Sequence, residues 1–512
     1  MNNLSYFIIT GVTLTTLLQY RRTQLRNKKS TSSSTSPSLS SSSTTPPKTY
    51  STETLELTDY TLEKYNLGYK VRGLFPLNFH YTQLNHGSYG VAPKLIMRNA
   101  RSIMQQIESF PDDFMRRNAL RRFNETANEV NELLHLNGEP NSIVFVENAT
   151  AGVNAVMNSL NLQAGDAILI NNHTYNACKN AAYRVTERVG AKVIVQQLDL
   201  PGTLVDNGKD YQNSYKKIIE NFKQQLENNP NIKFALIDHI TSPTAIVMPV
   251  AEMCKIARDK GVRIMVDGAH APGQLPLDMQ AIGCDWYTGN LHKWVFALKG
   301  TAILYTRPER QAETQSLIIS HFWKKSYVER FFMQGTNDQS RYLSSPSGIN
   351  FITNYLGGID NMRQYNTNLV NYGAWILGHL WGTERLICEG PCAAPFLATI
   401  ECPINWRKWV RRIVTTTSTD INGQTVTVSK EMDASDLSET EAEAVLAADE
   451  GLNERIANAI FNGYQIQSVF YPWRVDNKIR LWCRISAQVY NTPQEYRKLG
   501  LAVLDLKQRT NS

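Results

Sequence analysis

Residues Val266–Gln274 read "VDGAHAPGQ", and residues Gly289–Trp294 read "GNLHKW". The first stretch puts an acid, Asp267, at the end of an apolar run. The second puts Lys293 between a histidine and a tryptophan. An ion pair is the simplest reading of a carboxylate and a lysine at two neighbouring strand ends. The pattern around them tests whether they do more. Apolar strand-like runs recur at 142–146, 167–172, 192–198, 233–240, 263–267 and 301–306. Helix-like stretches lie between most of them. One of these, "PVAEMCKIARDKG" (249–261), opens on proline and closes on glycine, as a helix should. Such alternation predicts an α/β fold with a mostly parallel sheet covered on both faces. Ligands of such sheets bind beyond the C-terminal strand ends, where Asp267 falls.

The chain of 512 residues is 42% hydrophobic, enough for a large core. Its net charge of +7 is concentrated in residues 1–52, which hold six basic residues and no acid. The remainder is nearly neutral, so nucleic acid is not an expected partner. Seven cysteines lie without a CxxC pair, which fits a reducing compartment and argues against a disulfide framework. Cys388 and Cys392 read as structural, and no metal site is expected.

The segment Leu4–Tyr20 is apolar and is followed by five basic residues. It reads as a short membrane anchor with the body facing the cytosol. A mitochondrial presequence is the alternative. Residues 21–50 are Ser/Thr-rich and read as a disordered linker. A cofactor-binding domain over 51–340 and a smaller α+β domain over 341–512 complete the expected organisation. Residues 413–450, polar and then acidic, read as an insertion or flexible loop.

Pyridoxal phosphate asks four things of a protein, and this chain has a candidate for each. Lys293, in the apolar setting "LHKWVFALKG", is the candidate Schiff-base amine, because burial frees a lysine of its proton. Lys299 is a weaker rival. Asp267 is the candidate partner of the pyridine nitrogen, and His270 lies on the same turn. Ala149, Thr150 and Ala151, in the strand-to-helix junction "ENATAGVN", are candidates for the phosphate cradle. Thr150 would serve equally as an ordinary N-cap. Tyr175 is the candidate ring-stacking residue, although a lone tyrosine is more often core. His173 reads as structural.

Together the runs "VDGAHAPG", "CDWYTGNLHKW" and "GTAILY" resemble the class V aminotransferase family, within the fold-type I pyridoxal phosphate enzymes. The resemblance covers about residues 80–400 and resumes at 478–492. "LNHGSYG" (84–90), "DHITSPTAIVMPV" (238–250) and "ISAQVYNT" (485–492) are similar to its isopenicillin N epimerase-like branch. That branch includes hercynylcysteine sulfoxide lyases and cysteine desulfhydrases. The resemblance implies the roles just given for Lys293, Asp267 and Tyr175, and places His270 near the ring oxygen. It implies that Ser242 faces the ring hydroxyl and that Asn290 and His292 sit on the phosphate side. Arg484 would clamp a substrate α-carboxylate, with Asn85 and His86 bordering the substrate. Gly335 and Thr336 would reach a phosphate across a homodimer interface. Asn337 stands where the family has arginine, so no charge contact is expected there.

Three reactions at an amino-acid Cα compete: carbon–sulfur lysis, epimerisation and transamination. The stretch "YQIQSVFYPWRVDNKIRLW" (464–482) lacks the cysteine on which desulfurases carry sulfur. A carbon–sulfur lyase acting on a small cysteine-derived amino acid is therefore the expected activity. A catalytically inactive, membrane-tethered scaffold is the non-enzymatic alternative, against which intact Lys293 and Asp267 argue. No GxGxxG, HExxH or GxSxG motif supports a dehydrogenase, a zinc hydrolase or a serine hydrolase.

Overall fold

A computed structural model describes residues 62–199, 208–419, 425–449, 451–475 and 478–511. They belong to one compact unit spanning 55–512. A short strand, β1 (Thr82–Gln83), precedes the central sheet. The sheet is built from β2 (Ile143–Val146), β3 (Ala167–Asn171), β4 (Lys192–Gln196), β5 (Ile232–Asp238), β6 (Arg263–Asp267), β7 (Trp286–Asn290) and β8 (Ala302–Thr306). Their spatial order is β2-β8-β7-β6-β5-β3-β4. Strand β8 runs antiparallel to β2 and β7, and the remaining pairs are parallel. β2, β3, β7 and β8 are buried at every position, as a sheet covered on both faces requires. The sequence reading of a mostly parallel α/β sheet holds.

A second sheet is antiparallel. It comprises β9 (Leu397–Glu401), β13 (Val469–Val475) and β14 (Lys478–Ser486), with β14 in the middle. The stretch 348–382 forms two helices, Ser345–Tyr355 and Ile359–Trp381. They part at Gly357 and Gly358, both with positive φ. β1 pairs in parallel with β12 (Ile466–Gln467), so the segment before the large sheet is tied to the C-terminal part.

Two expectations are revised. The polar stretch near 413–450 contains an antiparallel hairpin, β10 (Arg412–Thr419) with β11 (Thr425–Met432). A helix follows, Glu439–Ala448, opened by a capping box of Ser438 and Glu441. The cytosol-facing membrane anchor is not carried forward. Among the described residues no helix is long and apolar enough to cross a membrane. The segment 4–20 that prompted it lies outside them, as does the 21–50 linker.

Candidate active site

Three strand ends converge. β5 ends on Asp238, β6 on Asp267 and β7 on Asn290, and all three are buried. A one-turn helix, Leu291–Trp294, follows β7 at once and carries Lys293. The helix Ala149–Ser159 begins just after β2 and aims its N-terminus at the same place. Between them lies a cavity of about 340 Å³. Lys293, Asp267, His270, Ala149, Thr150, Tyr175, Ser242, Asn290 and His292 all line it, together with Asp238.

The lysine is held in place by its surroundings. Its Nζ lies 3.3 Å from Nε2 of His270, itself buried. Burial, and next the Arg484 guanidinium, bring the Lys293 ammonium down to about 7, against the opposing pull of Asp267. Burial also keeps His270 neutral, well below the ordinary imidazole range. His86 does not line the cavity. Its ring is buried behind the lysine, where Nε2 donates to the Lys293 carbonyl at 2.6 Å and Nδ1 accepts from the Tyr490 hydroxyl at 2.8 Å. His86 thus supports the lysine loop from outside the cavity wall.

Asp267 accepts from the Ala269 N–H (2.9 Å) and from the Cys178 thiol (3.3 Å). Asp238 stands beside it in register on β5. Two buried carboxyls this close cannot both ionise without a large penalty, and both are pushed upward, first by burial. Asp238 rises further, and its buried Oδ2 has no hydrogen-bond partner among the described residues. Asp238 is the member of the pair pushed further toward its protonated form. Its sequence signal was an apolar run ending in an acid, "KFALID", the same pattern that marked Asp267. The linkage has a definite sign. A carboxyl whose folded pKa is raised lowers stability as pH climbs from its unfolded value, about 3.9, through the folded one. Asp238→Asn is therefore expected to melt above the wild type at pH 8, the difference vanishing toward pH 4. Thermal unfolding of both cofactor-free proteins across that range measures it.

The arginine side is also formed. Arg484, on β14, is buried. It donates to the Ser242 carbonyl (2.7 Å) and hydroxyl (3.1 Å), to Asn85 Oδ1 (2.9 Å) and to Ser88 Oγ (3.0 Å). All these partners are neutral, so among the described residues this buried cation has no carboxylate partner.

The helix start is partly committed. The Ala149 N–H donates to Asn290 Oδ1 at 2.9 Å, and the Ala151 N–H donates to its N-cap, Asn148. Thr150 lines the cavity with its hydroxyl unpartnered among the described residues, near His292. The His292 Nδ1 donates to the Thr301 carbonyl, and burial brings its pKa down to about 4. Ala151, Gly335 and Thr336 line a separate cavity and do not reach Lys293 within this chain. Tyr175 sits at the rim, 49% exposed. His173 is structural, buried between the Leu198 carbonyl and Thr244.

One glycine couples the two halves of the site. A Cβ on Gly90, whose φ is +64°, would run into the His292 carbonyl beside Lys293. Gly90→Ala is expected to destabilise the fold by about 2 kcal/mol or more, through strain at positive φ plus overpacking. Denaturant unfolding reads this directly.

The residues fit pyridoxal phosphate. A weakly basic buried amine, a carboxyl group on the neighbouring strand end, a buried His270 Nδ1 without a hydrogen-bond partner among the described residues, and a helix start meet in one cavity. This fold and this site define a pyridoxal phosphate enzyme of fold type I. The family model described as "Aminotransferase class-V" matches residues 113–396, more than half of the chain. The chain belongs to the class V aminotransferase family.

Its relatives are consistent. A "Probable L-cysteine desulfhydrase, chloroplastic" of Arabidopsis thaliana is 29% identical over 61% of this chain and 67% of its own length. The "Isopenicillin N epimerase" of Streptomyces clavuligerus is 28% identical over 63% of this chain and 81% of its own. Among solved structures, the cystine C–S lyase C-DES with its product cysteine persulfide superposes with a TM-score of 0.60. It is 17% identical, covering 83% of this chain and 97% of that one, a likeness of fold. The chain spans about two thirds of the length of the desulfhydrase relatives it matches, 67% and 63% for two of them.

Proposed function

We propose that this enzyme is a carbon–sulfur lyase acting on a cysteine-derived amino acid, such as cysteine or hercynylcysteine sulfoxide. For a cysteine thioether, one water is consumed, and the products are the thiol, pyruvate and ammonium. Pyridoxal phosphate, when bound, supplies an electron sink for charge developing at Cα. Lys293 is the amine that carries the cofactor and then takes the Cα proton, because its pKa of about 7 leaves it partly neutral near pH 7. Asp267 holds the proton on the ring nitrogen, and His270 orients the Lys293 amine. Tyr175 covers the ring, and Ser242 faces its hydroxyl. Thr150 at the helix start, with Asn290 and His292, would serve the phosphate. Arg484 takes the α-carboxylate in exchange for Asn85, Ser88 and Ser242, a bidentate fork replacing neutral acceptors.

The observation that carries the choice of lyase is the placement of the thiols. Cys178 is buried behind Asp267, and Cys483 is buried against Ser468. Burial pushes both thiols upward, so neither is a ready acceptor. Among the described residues no cysteine lines the cavity, so sulfur leaves into solution as a small product. A homodimer is part of this proposal. Gly335 and Thr336 would meet the partner's phosphate site, and the apolar surface of Leu317, Ile318, Ile319 and Trp323 would be covered.

The test is the purified holoenzyme with L-cysteine and with S-substituted cysteines. Pyruvate and a thiol or sulfide are expected in equal amounts. Loss of optical activity without pyruvate would select the epimerase instead. A protein that neither binds pyridoxal phosphate nor turns over any of these would overturn the enzymatic reading.

A further inference from the structure

A second cavity of about 540 Å³ lies beside the first. Tyr89, 71% exposed, lines both. Asn85 forms part of the second wall while its Oδ1 accepts from Arg484 and from Ser88. The Asn85 amide nitrogen has no hydrogen-bond partner among the described residues. The same asparagine therefore orients the carboxylate-binding arginine and faces the neighbouring space.

That space is aromatic. Phe79, Tyr81, Tyr89, Phe461 and Tyr490 contribute to its wall. Tyr81 stacks on Phe461 with centroids 5.4 Å apart and planes 13° from parallel. Phe79 meets Tyr490 edge-on at 6.2 Å. Its one acid, Glu495, is paired with Arg72 at 2.9 Å, with both side chains largely buried. The remaining polar lining, Asn78, Gln83, Asn85, Gln467 and Asn491, is made of uncharged amides. Flat faces and edges suit a flat, neutral guest. A cysteine thiol fills none of this volume.

We infer that the second cavity receives the substituent on the substrate's sulfur, and that this substituent is a neutral planar aromatic or heteroaromatic group. The inference rests on the carbon–sulfur lyase reading for its chemistry, and on Tyr89 and Asn85 for its geometry. With the α-carboxylate on Arg484, the sulfur substituent passes the Asn85–Tyr89 turn into the aromatic space. Phe461 and Tyr81 then decide specificity without touching the reacting atoms.

The experiment compares S-benzyl-L-cysteine with S-methyl-L-cysteine on the holoenzyme. Pyruvate release and the change in the cofactor's visible absorption on binding are both followed. S-benzyl-L-cysteine is expected to bind at least about 10-fold more tightly, from the area its ring buries, and to turn over with the higher kcat/KM. Phe461→Ala and Tyr81→Ala are each expected to shrink that preference while leaving S-methyl-L-cysteine within about twofold, each ring being one wall of the pocket. Equal binding of the two compounds by the wild type would overturn the inference, as would a preference that survives both substitutions. The two readings fail differently. Pyruvate from both compounds without preference removes this inference and leaves the lyase standing. Tighter benzyl binding without pyruvate removes the lyase and leaves the cavity assignment standing.

Discussion

Lys293→Ala is expected to lose the visible absorption of the bound cofactor and at least about 10³-fold of product formation. Two functions vanish with one amine: the attachment point and the base at Cα, the latter alone worth about 10²–10⁴-fold. The residue is buried, and its low pKa is set by that burial and by Arg484 against the pull of Asp267. No other amine lines the cavity among the described residues. Lys299, the rival in the sequence, donates to the Gly90 carbonyl at 3.3 Å and does not line it. Lys299→Ala should therefore keep the absorption that Lys293→Ala loses. If the two variants behave alike, Lys293 is not the attachment point.

Arg484→Gln is expected to keep the cofactor and lower kcat/KM by about 10²–10³-fold, the value of two charge-assisted hydrogen bonds to a carboxylate. It should also move the pH profile. The base works when neutral, so activity rises as pH passes the Lys293 pKa of about 7. Arg484 is the second cause of that low value, after burial. Without the guanidinium the protonated amine is less disfavoured, its pKa climbs, and the rising limb shifts to higher pH. Steady-state rates across pH 6–9 separate this from simple loss of binding. A weaker KM with an unmoved limb would show that Arg484 binds substrate but does not tune the lysine.

Much of the site was legible because the fold writes its functional residues at strand ends. "RIMVD" and "GNLHKW" each join an apolar run to a polar turn, and β6 and β7 are neighbours in the sheet. Asp238 carried the same signature, but one sequence cannot show that β5 lies next to β6. The role of His86 was not readable. Its partner Tyr490 is about 400 positions away, and nothing in "LNHGSYG" reports that its ring turns inward. The phosphate junction was visible as a helix start, yet spacing alone could not show that Asn290 and Asn148 claim two of its N–H groups. The hairpin at 412–432 was obscured by composition. Its alternating threonines and valines favour strands, but their polarity reads as loop.

The His86 ring, wedged between the Tyr490 hydroxyl and the Lys293 backbone, has a consequence for biosynthesis. The lysine loop is fixed by one residue ahead of the central sheet and one about 400 positions further along the chain. Arg484, the other cation of the site, lies on that same late segment. A nascent chain can complete the central sheet and still lack both until β14 and Tyr490 clear the ribosome. A chain cut short before about residue 484 would therefore present Lys293 on a loop lacking this support even where the central sheet has formed.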